Sequence, residues 1–211
     1  MENRGKTSAR RHPAGKDKLR HQFLMFRELL REPRDIGTLC PSSAALADKM
    51  ADAISPSVMG SGFLVELGAG TGPVTEALLR RGIPRERMIV VEKSEPLANC
   101  LSTRFLGVKI VCCGAEELRR YVGRDDEIRA VVSSLPFRSL PTELCESIMS
   151  VIEDILAPGG LYVQFTYALL GKIPFVPENF RRLRSDLVLS NIPPARVEVF
   201  RKPKNAPGPR T

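Results

Sequence analysis

Phe63-Leu-Val-Glu-Leu-Gly-Ala-Gly-Thr-Gly72 is the stretch that decides the fold. Phe63 to Val65 is a short apolar run of the kind that forms a buried strand. It breaks into Glu66 and then into three glycines two positions apart, Gly68, Gly70 and Gly72. Glycine permits tight backbone bends and the close approach of a ligand that a side chain would block. Pro73 suits the first turn of a helix, and Val74, Ala77 and Leu78 continue with helical spacing. The stretch therefore predicts a strand, a glycine turn and a helix.

Beyond it the chain alternates. Strands are expected at 63–67, 88–91, 108–112, 130–133 and 161–166, with helices near 74–81, 95–104, 115–120 and 142–156 between them. Ala157-Pro-Gly-Gly160 reads as a turn. Two further β runs, 186–189 and 196–200, flank Asn191-Ile-Pro-Pro194 and lie close enough to pair antiparallel. The fold class is α/β: a Rossmann-like, doubly wound, seven-stranded sheet with its last strand antiparallel, plus N-terminal helices. Residues 1–16 are polar and basic, expected to be disordered. Residues 17–31 carry Leu19, Phe23, Phe26, Leu29 and Leu30 on one helical stripe, with Lys18, Arg20, Arg27 and Arg31 on the polar face. A second helix is expected at 43–54, with Ser42 or Ser43 as its N-cap. The organisation read from this is a basic tail (1–16), amphipathic and cap helices (17–60), one ligand-binding domain (61–202) and a flexible tail (203–211). The basic Arg201-Lys-Pro-Lys204 is expected to fray.

In such a sheet a ligand binds outside the carboxyl ends of the strands. A dinucleotide site would want a glycine at position 73, where this chain has proline, so the turn suits an adenosyl ligand without a pyrophosphate. Glu92 stands twenty positions beyond Gly72, at the end of the second strand, where an acid can accept from both ribose hydroxyls; pairing with Lys93 is the plainer alternative. Gly114-Ala115-Glu116 follows the third strand, where an adenine would lie, although Glu116 could instead serve the helix dipole. Glu66 ends the first strand, as a ligand acid or as an edge-of-core acid held by backbone amides.

The pattern Glu66-x-Gly-x-Gly-x-Gly72 resembles motif I of the class I S-adenosylmethionine-dependent methyltransferases. The resemblance implies S-adenosylmethionine as methyl donor. It also implies a cofactor set of Glu66, Gly68, Ala69, Gly70, Thr71, Gly72, Glu92, Lys93, Ala115, Glu116, Ser133 and Leu135. After the fourth strand, Ser133-Ser-Leu-Pro-Phe-Arg-Ser-Leu-Pro141 is similar to the bacterial phospholipid N-methyltransferases, as are Pro41-Ser-Ser-Ala-Ala-Leu-Ala47 and Gln164-Phe-Thr-Tyr167. Enzymes that methylate nucleobase amines carry Asn or Asp where this chain has Ser134, which weakens the resemblance to the rRNA adenine dimethylases. The lipid-enzyme likeness implies stepwise N-methylation of phosphatidylethanolamine at a membrane surface. Tyr167 and Ser134 are then the catalytic candidates, and Phe137, Arg138 and Lys172 the substrate-side ones. Tyr167 could face a methylated ammonium through its ring. Tyr167 and Phe137 could equally be core packing, and Arg138 and Lys172 solvated charges.

Bulk properties bound the rest. With 43% hydrophobic and 27% charged residues, 211 positions make one ordinary domain with a proper core. Five cysteines, an odd number with Cys112 and Cys113 adjacent, do not form a disulfide framework and point to a reducing compartment. The histidines are His12 and His21, and no cysteine pair has zinc-ligand spacing with them, so no metal is expected. No apolar run approaches the roughly 20 residues of a membrane span. The expectation is a cytoplasmic monomer, peripherally attached to the inner face of the membrane. A net charge of +8 fits an anionic membrane, RNA or plain solubility equally. An RNA-modifying methyltransferase and a non-catalytic module on the same fold therefore stay open as alternatives.

Overall fold

The apolar run before the glycine turn becomes the middle of a sheet. In the structure, a computed structural model, residues 41–123, 125–171, 173–191 and 193–204 are described. The expected 17–31 helix and Lys172 lie outside them. In chain order the elements are α1 (Pro41–Ala51), α2 (Pro56–Met59), β1 (Phe63–Leu67), α3 (Pro73–Arg80), β2 (Met88–Glu92), α4 (Glu95–Arg104) and β3 (Lys109–Cys112). Then come β4 (Ile128–Ser133), α5 (Thr142–Ile155), β5 (Leu156–Thr166), β6 (Arg181–Val188) and β7 (Ala195–Arg201), with 3₁₀ turns at Arg85–Arg87 and Ala115–Arg120.

The seven strands run in the order β3-β2-β1-β4-β5-β7-β6. β1 to β5 are parallel, and β7 lies antiparallel to both β5 and β6. The chain winds outward from β1 to β3, then returns and winds the other way from β4. The carboxyl ends of β1 and β4 thus flank the switch point where such sheets bind ligands. Side chains alternate across each strand. Leu64, Val90, Val132, Val163 and Val197 pack on the α1 and α3 face. Val65, Ile89, Val131 and Tyr162 pack on the α5 face. Both sets are buried, which is why the central strands read as continuous apolar runs without a polar period.

Three expectations about the edges need correction. First, Ala157-Pro-Gly-Gly160 is not a free turn. β5 begins at Leu156, directly after α5, and Leu156 pairs with Ile128 across a register shift. Second, β6 starts at Arg181, five residues before the expected run. It is the sheet edge, so its Arg181, Arg182 and Leu183 are exposed and show no buried face to the sequence. Third, the basic C-terminal run does not fray at Lys202. That side chain is buried, and its ammonium donates to the carbonyls of Glu153 and, at 2.7 Å, Leu156, closing the carboxyl end of α5. α1 also starts earlier than expected, so Ser42 and Ser43 lie inside its first turn and not at its cap.

Candidate active site

The glycine turn leaves β1 through three left-handed residues, Gly68 (φ 70°), Gly70 (φ 58°) and Gly72 (φ 87°). Two of them also have neighbouring side chains where a Cβ would go. A Cβ on Gly68 would meet Leu135 Cδ2 at 2.7 Å, and one on Gly72 would meet Phe105 Cε2 at 2.5 Å. The turn is therefore clamped between the loop after β4 and α4. Pro73 opens α3, as its sequence position predicts.

Glu92 ends β2 at the lip of this turn, 9% exposed. Its Oε2 accepts the Gly70 N–H at 2.8 Å, and its Oε1 accepts the Ser94 N–H at 2.8 Å. The acid thus orients the turn, and each carboxylate oxygen keeps a second lone pair. Lys93 beside it is exposed. Glu66 lies beneath the turn, fully buried. Its Oε2 accepts from the Thr75 hydroxyl at 2.7 Å, while its buried Oε1 has no partner among the described residues. Burial pushes its carboxyl up to about 7 against the pull of the Thr75 hydrogen bonds, with the Glu92 charge adding to the rise.

After β3, it is Glu117 that serves the start of the 3₁₀ turn, accepting the Gly114 N–H at 3.3 Å. The Glu116 carboxylate instead folds over Gly114, where a Cβ would come within 2.4 Å of it. Ala115 is buried beside them.

The loop after β4 is tied to both neighbours. The Ser134 N–H donates to Leu67 O at 2.9 Å, joining it to the end of β1. Ser133 is fully buried, its hydroxyl accepting the Leu135 N–H at 3.3 Å. From below, Gln164 Nε2 donates to Leu135 O at 2.9 Å, and Gln164 Oε1 accepts from the Tyr162 hydroxyl at 2.8 Å. Burial pushes the Tyr162 phenol far up, opposed by a hydrogen bond with Ser133. Phe137 is 4% exposed within the core on the α5 face, and its carbonyl accepts the Cys145 thiol at 3.3 Å. Its ring packs into that buried cluster. Arg138 is exposed at the rim.

Tyr167 follows β5, half-buried and edge-on to Phe165 with ring centroids 5.3 Å apart. Burial raises its phenol, opposed by a hydrogen bond from the Asn191 side chain. Asn191 is itself buried and donates to Pro193 O at 2.6 Å. Arg196 on β7, 7% exposed, donates to the carbonyls of Leu169 (3.1 Å) and Gly171, and pairs with Glu198 at 3.1 Å. The switch point thus brings together Glu66, the glycine turn, Glu92, Ser134 and Leu135. Thr75, Tyr162 and Gln164 support it, and Asn191 and Arg196 brace Tyr167 and the turn after it, from positions that sequence reasoning passed over as site residues. The available signal was polar side chains inside otherwise apolar strands, Gln164 above all, because a buried polar group must find a partner.

Among the described residues there is no group of three or more His, Cys, Asp or Glu side chains placed to hold a metal ion, and no helix long and apolar enough to cross a membrane. Residues 64–160 match the family described as a methyltransferase domain. The chain is 31% identical over 183 residues to the ornithine lipid N-methyltransferase of Singulisphaera acidiphila, covering 82% of this chain and 92% of that protein. Among solved structures, the N-methyltransferase NodS from Bradyrhizobium japonicum WM9 in complex with S-adenosyl-L-homocysteine superposes with a TM-score of 0.62 at 14% identity, covering 86% of this chain and 98% of that one. The Burkholderia thailandensis 1,6-didemethyltoxoflavin-N1-methyltransferase superposes with a TM-score of 0.57 at 18% identity, covering 94% and 93%. At these identities both share the fold.

Proposed function

Because the chain belongs to the class I S-adenosylmethionine-dependent methyltransferases, and resembles the bacterial lipid N-methyltransferases among them, we propose that it methylates the primary amine of a membrane lipid. Phosphatidylethanolamine, suggested by the loop after β4, and ornithine lipid, the substrate named for its relative, present that same group. The observation that carries the reading is the kinship itself, which spans nearly the whole of the relative.

The residues fit the donor. The buried, unpartnered Glu66 Oε1 calls for a cationic or N–H donor, which the methionyl ammonium supplies, and Glu92 retains lone pairs for the ribose hydroxyls. S-Adenosylmethionine, when bound, supplies an electrophilic methyl group on a sulfonium. The task left to the chain is to present a neutral amine. A lipid primary ammonium has a pKa of about 10 in water, like lysine, so the cleft must favour loss of its proton by desolvation. Tyr167 keeps its own proton, since burial raises the phenol. It is therefore not the base. Its hydroxyl accepts an amine N–H while Asn191 fixes its direction, and its ring faces the methylated ammonium. The Ser134 hydroxyl, at the mouth of the loop after β4, orients the amine from the other side. Alignment of amine, methyl and sulfur then contributes most of the rate.

The test is transfer of labelled methyl from S-adenosylmethionine to vesicles holding phosphatidylethanolamine, to vesicles holding ornithine lipid, and to rRNA in parallel. Label in either lipid is expected. Label in rRNA alone, with both lipids unlabelled, overturns the reading.

A further inference from the structure

Eight large apolar side chains are exposed among the described residues, and four of them fall in one place. Leu169 (40% exposed), Leu170 (86%), Leu187 (55%) and Leu189 (70%) all lie at the carboxyl end of β5 and β6. This is the end of the sheet that carries the glycine turn and Tyr167. Arg196 joins them. It stands opposite Leu187 in the β6–β7 register, so both project from one sheet face, and its guanidinium donates to the carbonyls of Leu169 and Gly171. The 169–171 turn is thus held from inside through its backbone, with Gly171 at φ 86°. Its leucine side chains are left facing outward on a fixed support. Single exposed leucines need no explanation, but an apolar cluster at the mouth of a site marks an interaction surface.

We infer that Leu169, Leu170, Leu187 and Leu189 form a bilayer-docking rim, which enters the outer acyl region of an anionic membrane beside the amine site. The identity of the occupant rests on the lipid-amine reading above. Acyl chains stay in the bilayer while a headgroup reaches Tyr167, so the surface next to Tyr167 must meet the membrane, and the rim begins two residues after it. Charge agrees. Arg138 is exposed, and its guanidinium lies 3.9 Å from where a Cβ on Gly171 would be, which places a cation beside the leucines. Because the turn is already ordered, docking does not cost the entropy of fixing a loose loop.

The chain has no tryptophan, so one introduced residue reports alone. In full-length L170W, emission is expected to shift to the blue on adding vesicles of phosphatidylcholine and phosphatidylglycerol in equal amounts, and to be quenched when the vesicles carry brominated acyl chains. L106W is the control. Leu106 is 74% exposed between α4 and β3, at the opposite edge of the sheet, and is expected to remain unshifted. The double variant L170D/L189D is expected to lose vesicle affinity on the order of 100-fold, while cofactor binding and turnover of a monomeric short-chain amine lipid stay unchanged. L170W emission already blue-shifted without vesicles and unmoved by them would mean that another part of the chain covers the rim, and overturns the inference. Vesicle affinity unchanged in L170D/L189D overturns it equally. Vesicle binding is read without any methyl transfer, so a chain that docks through these leucines yet methylates no lipid would defeat the proposed substrate and leave the rim standing.

Discussion

Glu66 holds a proton that the unfolded chain does not. Its folded carboxyl titrates at about 7 against an ordinary 4.5, chiefly because it is buried. Between those two values the native state binds more protons than the unfolded one. Stability therefore falls as pH rises from about 4.5 towards 7 and levels off above. The full span is worth roughly 3 kcal/mol, and E66Q is expected to flatten it in urea titrations run across that range. A cationic donor facing Oε1 prefers the ionised acid, so S-adenosylmethionine is expected to bind more tightly as pH rises through 7. Calorimetry on the wild type should show this slope, and E66Q should lack it. At the neighbouring turn, Gly68→Ala meets both a left-handed backbone and Leu135 Cδ2 at 2.7 Å. The cost is about 1–3 kcal/mol, with cofactor binding lost through displacement of Leu135; thermal melts and a binding titration check the two parts. The glycine spacing was legible because left-handed backbone favours glycine, and the placing of Glu66 and Glu92 at the strand ends beside the turn was legible from the strand pattern. The split between Glu116 and Glu117 was not legible, because adjacent acids at a helix start differ only in which way each side chain folds.

At the scale of elements, the loop after β4 is shaped by a strand it does not belong to. Gln164 and Tyr162 alternate with Leu161, Val163 and Phe165 along β5 and reach under residues 133–135. Y162F leaves Gln164 Oε1 and Ser133 short of a hydrogen bond in a buried site, a cost of about 1–3 kcal/mol. The expected signature is a lowered melting temperature, faster amide exchange at Ser134 and Leu135, and a fall in kcat that exceeds the loss of cofactor affinity. The central elements were readable from the chain because parallel strands buried on both faces are apolar runs bounded by turns. β6 was misplaced for the opposite reason. An edge strand with Arg181, Arg182 and Arg184 in it has no apolar period, and only pairing with β7 makes it a strand. Lys202 was misread in the same way, since a lysine near a terminus gives no hint that helix carbonyls wait for it 46 residues upstream.

For the whole molecule, the decisive fact is where the sheet reverses. The order β3-β2-β1-β4-β5-β7-β6 puts the β1 and β4 ends side by side, and every candidate for cofactor contact comes from those two ends or from the adjoining β2 and β3 ends. That reversal followed from the alternation of strands and helices, so the position of the cleft was readable before the structure. The side of the cleft beyond β5 was less so, because the described residues of 167–171 and 173–180 form no helix or strand whose period could be read.

The insertion of β7 between β5 and β6 also has a consequence for synthesis. β6 emerges from the ribosome before the strand that pairs with it, and β5 keeps an open edge until residues 195–201 arrive. Chains halted before position 195 are expected to remain protease-sensitive and to recruit chaperones, and those released beyond 202 to resist digestion. The last strand made is thus the one that commits the domain. A stop codon just before position 195, though it spares every candidate donor contact, would yield a nascent product fit only for degradation.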